Sequence, residues 1–213
     1  MRNWATRAVG ELAHRRDEIN ALNVFPVPDS DTGSNMAHTM EAAVAELDNG
    51  GDVADSLAFG AVRGARGNSG MVLSQVLRGV AESTVDSVID GAVFVRSLKQ
   101  AVELVDRAIA EPVEGTVITV LKAASESAED AQAQSGATLH STVSAAIAAA
   151  ETALERTPSQ LPALREAGVV DAGGAGLVIL LESLLAEIEG STGHTGLSEP
   201  EPEIELEVVF FFE

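Results

Sequence analysis

The sequence predicts an all-α domain, an antiparallel bundle of about eight helices. Three observations point there. Apolar residues recur at a 3.6-residue period along most of the chain, the segments so marked are short and divided by Gly- or Pro-containing turns, and none before residue 190 alternates like a strand. Hydrophobic residues make up 46% of the 213 positions but aromatics only 3%. The interior is therefore built from Ala, Val, Leu and Ile, which suit close helix packing.

Ala8, Leu12, Ile19 and Leu22 form a loose first stripe that halts at Pro26 and Pro28. Met36, Met40, Ala43, Val44 and Leu47 mark a second helix, starting near Gly33 and stopped by "DNGGD". Residues 52–64 read as a short helix. After "GARGNSG", Met71, Leu73, Val76, Leu77 and Val80 begin another that fades near Ser83. Phe94, Leu98, Ala101, Val102, Val105, Ala108 and Ile109 make the strongest stripe, stopped by Pro112. "EGT" opens a helix to about Gln134. An Ala-rich helix then ends near Arg156, with Pro158 and Pro162 framing a connection. The last helix follows "GVVDAGGAGL" and runs to about Glu189. Residues 191–203 have a linker's composition, and residues 204–213, "IELEVVFFFE", alternate like the first strand of a further domain.

Composition narrows the function classes. A formal charge of −20 repels a phosphate backbone and makes nucleic acid an unexpected partner. No cysteine means no disulfide, thiolate nucleophile or Cys-based zinc site, which fits a reducing cytoplasm. No stretch has the roughly 18 apolar residues of a membrane span.

Four loops carry candidate chemistry. In "NVFPVPDSDTGSNM", residues 23–36, Phe25 and Val27 each precede a proline and are pushed out of the α region, so residues 25–28 read as a stiff extended strut. It delivers Asp29 and Asp31, whose two hard carboxylates suit Mg²⁺ completed by water and phosphate oxygens. The plainer alternative is a solvated Asx turn in which Asp31 or Thr32 caps the next helix. "GARGNSG", residues 64–70, places glycines at 64, 67 and 70 before a helix. Its N–H groups suit an anion, with Asn68 and Ser69 adding donors and Arg63 and Arg66 flanking; a tight interhelical turn accounts for the pattern equally. "EGT" (114–116) and "DAGGAGL" (171–177) are further helix starts. Gathered at one end of a bundle, four such starts make an electropositive mouth. His14, His38, His140 and His194 have no metal-ligand spacing, Lys99 and Lys122 sit in ordinary amphipathic helices, and no nucleophile elbow occurs.

Taken in order, "INALNVFPVPDSDTGSNM", "GARGNSGMVLSQVLRG", "EGTVITV" and "GVVDAGGAGL" resemble the nucleotide-binding, DhaL-like domain of bacterial fatty acid kinase, a relative of the L domain of dihydroxyacetone kinases. The resemblance covers residues 1 to about 190. It implies an eight-helix antiparallel barrel whose rim binds ATP or ADP through Mg²⁺, with two ions. By position, Asp29 and Asp31 would be catalytic metal ligands and Asn35 a metal or phosphate contact, with Thr32 beside them. Gly67, Asn68, Ser69 and Gly70 would contact phosphate; Thr116, Asp171, Gly173 and Gly174 would flank the nucleoside.

Three departures stand out. Asn23 and the Pro-rich segment occupy the region where dihydroxyacetone kinases carry a third aspartate. Ser30 stands where relatives usually have glycine. Fatty acid kinases continue into two further domains, so this chain reads as a fragment. The implied function is phosphotransfer to a fatty acid held by a separate fatty-acid-binding (DegV-like) protein, within phospholipid synthesis. A dihydroxyacetone-kinase-type subunit, or a nucleotide-binding domain without turnover of its own, stays open, as does a homodimer.

Overall fold

The computed structural model describes residues 1–84 and 88–192, the last two by backbone alone. Ten α-helices account for most of them: α1 (Arg2–His14), α2 (Arg16–Leu22), α3 (Thr32–Glu46), α4 (Val53–Gly64), α5 (Gly67–Ser83), α6 (Gly91–Ala108), α7 (Val117–Gln132), α8 (Leu139–Gln160), α9 (Pro162–Ala167) and α10 (Ala172–Thr192). Setting aside the short α2 and α9, the eight long helices pack in chain order, α1 on α3 and so on round to α8 on α10, and α10 closes the ring on α1. The all-α antiparallel barrel expected from the sequence is the fold observed. The linker and terminal strand expected over 191–203 and 204–213 lie almost wholly outside the described residues.

Two apolar clusters fill the barrel. One joins α5, α6, α7, α8 and α10 through residues such as Phe94, Leu98, Leu121 and Leu177. The other joins α1 to α5 with α10 through Leu12, Ile19, Met40, Leu57 and Leu73. Helices α5 and α10 contribute to both, because opposite faces of each are apolar. The one tryptophan ties α1 to α10 where the ring closes: Trp4 Nε1 donates to the Leu180 carbonyl at 3.2 Å. Gly33 lets α3 lie against α2, since a Cβ there would overlap the Arg16 carbonyl oxygen.

Four local details differ from the sequence reading. The first stripe is two helices, broken at Arg15 (φ −94°, ψ 9°). Pro158 lies inside α8 rather than in a connection. It has no N–H for the Leu154 carbonyl four residues back, and the Thr157 hydroxyl donates there instead at 2.7 Å, so the helix continues to Gln160. Residues 25 and 26 bend, with a cis Phe25–Pro26 peptide, in place of a straight extended strut. The glycines of "GARGNSG" and "DAGGAGL" lie largely in the first turns of α5 and α10 and not in loops ahead of them.

Candidate functional site

Three long helices that start away from the cleft are capped by side chains: Asp52 accepts from the Ala54 and Asp55 N–H groups, Asp90 from Val93, and Thr138 forms a reciprocal capping box with Ser141. At the other end, the cap residues of α3, α5 and α7, which are Asp31, Arg66 and Thr116, contribute no side-chain cap. These three starts, with that of α10, surround a cleft of about 590 Å³.

The acidic edge of the cleft is built by α2. Asn23, only 5% exposed, accepts the N–H groups of Asp31 and Thr32 on Oδ1 at 3.0 and 3.2 Å. Its Nδ2 donates to the carbonyls of Val27 and Phe25 at 3.2 and 3.5 Å. One turn earlier, Asn20 accepts the Ser34 N–H at 3.1 Å and donates to its hydroxyl at 3.0 Å. Two amides, one in α2 and one just past its end, thus perform the capping that Asp31 or Thr32 was expected to supply. The consequence is chemical: Asp29 and Asp31 line the cleft, and neither carboxylate has a hydrogen bond or ion pair among the described residues. Between them Ser30 has φ 54°, the one non-glycine left-handed residue among the described residues. An L side chain there costs on the order of 1 kcal/mol, a strain typical of a binding loop.

The opposite edge is the start of α5. Gly67 has φ 58°, and a Cβ on it would sit 2.5 Å from Asn35 Nδ2, so glycine lets the two loops touch. The N–H groups of Gly67, Asn68 and Ser69 have no acceptor among the described residues; the first to find one is that of Gly70, bonded to the Arg66 carbonyl at 3.0 Å. Asn35, Asn68 and Ser69 line the cleft here. Convergent N–H donors at a helix start favour an anion such as phosphate.

The third side joins α7 and α10. Asp171, 6% exposed, receives the Gly174 N–H at 2.7 Å, with the Val117 and Gly173 N–H groups also turned to it. Burial pushes its carboxyl up to about 6, against the pull of those three donors. Asp171 therefore fastens two helix starts together at the cleft wall, and its own N–H donates to Thr157 Oγ1 at 3.1 Å. Thr116 lines the cleft while its hydroxyl donates to the Val113 carbonyl at 2.7 Å.

Of the residues singled out in the sequence, Asp29, Asp31, Thr32, Asn35, Gly67, Asn68, Ser69, Thr116, Asp171 and Gly173 meet at this cleft. Gly70 and Gly174 stand behind its wall, Gly70 against Thr39 and Gly174 against Val120 and Leu154. Arg63 and Arg66 are exposed and His38 half-buried, all off the lining; Lys99 and Lys122 pair with Glu129 and Asp106. Sequence reasoning missed the work of Asn20 and the apolar wall of Phe25, Ile109, Val113 and Val117. Asparagines one turn apart just ahead of an Asp-rich loop were the available signal for the first.

The donor set fits a hard divalent cation shared with phosphate. Among the described residues no three His, Cys, Asp or Glu side chains gather. An ion at Asp29 and Asp31 would draw its other ligands from water, Asn35 or phosphate oxygens, the coordination Mg²⁺ prefers.

The protein YloV of Bacillus subtilis (strain 168) is 40% identical over 187 residues, 85% of this chain and 34% of the relative. An uncharacterized Staphylococcus aureus (strain USA300) protein, SAUSA300_1119, is 37% identical over 185 residues, 84% of this chain and again 34% of the relative. The chain thus spans about a third of the length of these relatives. The crystal structure of dihydroxyacetone kinase from C. freundii in complex with AMP-PNP and Mg²⁺ shares the fold, with a TM-score of 0.62 at 22% identity over 87% of this chain and 33% of that one. Among the described residues no helix is long and apolar enough to cross a membrane. The DAK2 domain matches residues 26–186, and the chain belongs to that family.

Proposed function

We propose that this chain is the nucleotide-binding domain of a phosphotransferase that passes the γ-phosphoryl group of Mg²⁺·ATP to a fatty acid carboxylate held by a separate fatty-acid-binding, DegV-like protein. The observation that carries the reading is the pair of carboxylates, Asp29 and Asp31, on the same cleft as the N–H groups of Gly67, Asn68 and Ser69, all without a partner among the described residues. Asp29 and Asp31 would hold the Mg²⁺, with Asn35 close by. Bound there, the ion would neutralise phosphate charge as it builds in transfer. The start of α5 receives the phosphates, and the wall of Phe25, Ile109, Val113 and Val117 excludes water from the nucleoside.

In the reaction a carboxylate oxygen attacks the γ-phosphorus, the bond from that phosphorus to the β–γ bridging oxygen breaks, and ADP departs with the electron pair. A carboxylic acid of pKa about 4–5 is already ionised at neutral pH, so no general base is needed. That agrees with a cleft that, among the described residues, no histidine or lysine lines, where positioning and charge neutralisation do the catalysis. The Pro-rich "NVFPVPDSDTG" favours this acceptor over a hydroxyl through its resemblance to fatty acid kinases.

A second reading, a dihydroxyacetone-kinase-type subunit, draws on the fold shared with the C. freundii kinase. A third is nucleotide binding without turnover, since the chain spans a third of its relatives. One assay separates them. Supply ATP labelled at the γ-phosphate with Mg²⁺ and either a fatty acid loaded on its binding protein or dihydroxyacetone, then trap acyl phosphate with hydroxylamine. Hydroxamate that depends on the loaded protein supports the first reading. Labelled dihydroxyacetone phosphate replaces it with the second, and tight nucleotide binding with neither product leaves the third.

A further inference from the structure

Helix α4 buries Ala54, Leu57, Ala58 and Ala61 and turns its other side to solvent. On that side stand Asp55, Phe59, Val62 and Arg63, spaced i, i+4, i+7 and i+8 as one continuous stripe. Phe59 is 54% and Val62 46% exposed; among the described residues the other large exposed hydrophobics, Val27 and Val88, lie far along the chain from them. The Asp55 carboxylate has no hydrogen bond or ion pair among the described residues, and Arg63 has no ion pair there, its guanidinium lying over the Phe59 ring at 5.4 Å from the centroid.

Asp55 and Arg63 are opposite in charge yet cannot meet within one chain, being about 12 Å apart along the helix axis. Their spacing is symmetric about Phe59, four residues to either side. Two such helices laid antiparallel across a two-fold axis at Phe59 place residue 55 of each against residue 63 of the other, the self-complementarity that an isologous interface requires.

We propose that α4 is a self-association face, on which two copies of this chain pair antiparallel. Phe59 packs against the partner's Phe59 on the axis, Val62 settles into the ridge beside it, and Asp55 meets Arg63 of the partner subunit twice. Charge decides for a second copy. At −20 per chain, like charges confront one another over most of any approach of two copies, whereas this stripe is balanced and self-matching. A uniformly acidic partner would face the unpaired Asp55. One helix face is below the roughly 1,200 Å² of a stable interface, so association is weak and concentration-dependent.

Sedimentation velocity of the chain, from micromolar to millimolar, with and without charge swaps, tests this. The wild type should pass from monomer to dimer. Asp55→Arg and Arg63→Asp lie at exposed positions but oppose the dipole at the first and last turns of α4, so each should lower the melting temperature slightly, leave the chain folded, and weaken the dimer at least tenfold. Mixing those two variants should restore it, because each supplies the charge the other lacks, as should Asp55→Arg/Arg63→Asp in one chain. A wild type that stays monomeric throughout, a dimer indifferent to the single swaps, or singles that fail to complement on mixing would each overturn the proposal.

Discussion

Asn23 Oδ1 accepts the backbone N–H of Asp31 at 3.0 Å, so an amide on the residue that ends α2, and not the aspartate itself, holds the start of α3. With the Thr32 N–H and the carbonyls of Phe25 and Val27, one buried side chain engages four backbone groups around the acidic loop. Asn23→Ala leaves those groups without their partner at a partly buried site and should cost about 1–2 kcal/mol in urea unfolding. Undiminished stability would show that the loop holds its shape without Asn23.

The two carboxylates it frees should behave in the opposite way. Asp29→Asn and Asp31→Asn remove unpartnered negative charge from a chain at −20, so each should leave stability within about 0.5 kcal/mol or raise it slightly. A loss well beyond that in either variant would mean that the carboxylate serves the fold.

Ser30 at φ 54° makes a backbone prediction. Ser30→Gly should raise the melting temperature by the equivalent of at most about 1 kcal/mol, the relieved strain being partly offset by the greater entropy of an unfolded glycine. Ser30→Val, β-branched at the same φ, should lower it. Equal melting of all three would mean that residue 30 leaves the left-handed region in solution.

Asp171 gives a pH dependence. Its carboxyl is raised from 3.8 to about 6 by burial, so between those values the folded chain holds a proton that the unfolded chain has released. Its contribution is greatest below about 4, is lost as pH rises to about 6, and amounts to about 3 kcal/mol over that span. Asp171→Asn, which can still accept the Gly174 N–H, should flatten this part of the stability profile and be at least as stable as wild type at pH 7.5. Superimposable wild-type and variant profiles would refute the buried-charge account.

Helix identity was legible because most stripes are long and bounded by Gly or Pro, as from Phe94 to Val105. Pro158 was misread because its effect depends on Thr157, whose hydroxyl takes the place of the missing N–H at the Leu154 carbonyl. That is a side-chain geometry which no spacing rule encodes. The acidic and glycine-rich loops were legible as local motifs, and their meeting at one cleft follows from the alternating direction of the helices. The division of labour between Asn23 and Asp31 was not legible. A capping aspartate and an uncapped one look alike in sequence, and the difference arises from how α2 lies against α3.

Whether Asp29 and Asp31 hold a nucleotide-bound metal is decided by calorimetric titration. ADP and AMP-PNP would be titrated, with and without Mg²⁺, into the wild type and Asp29→Ala/Asp31→Ala. The wild type should bind in a Mg²⁺-dependent way, and the double variant should lose that binding while remaining fully folded. Equal Mg²⁺-dependent binding by both proteins, or none by a folded wild type, would contradict the metal assignment.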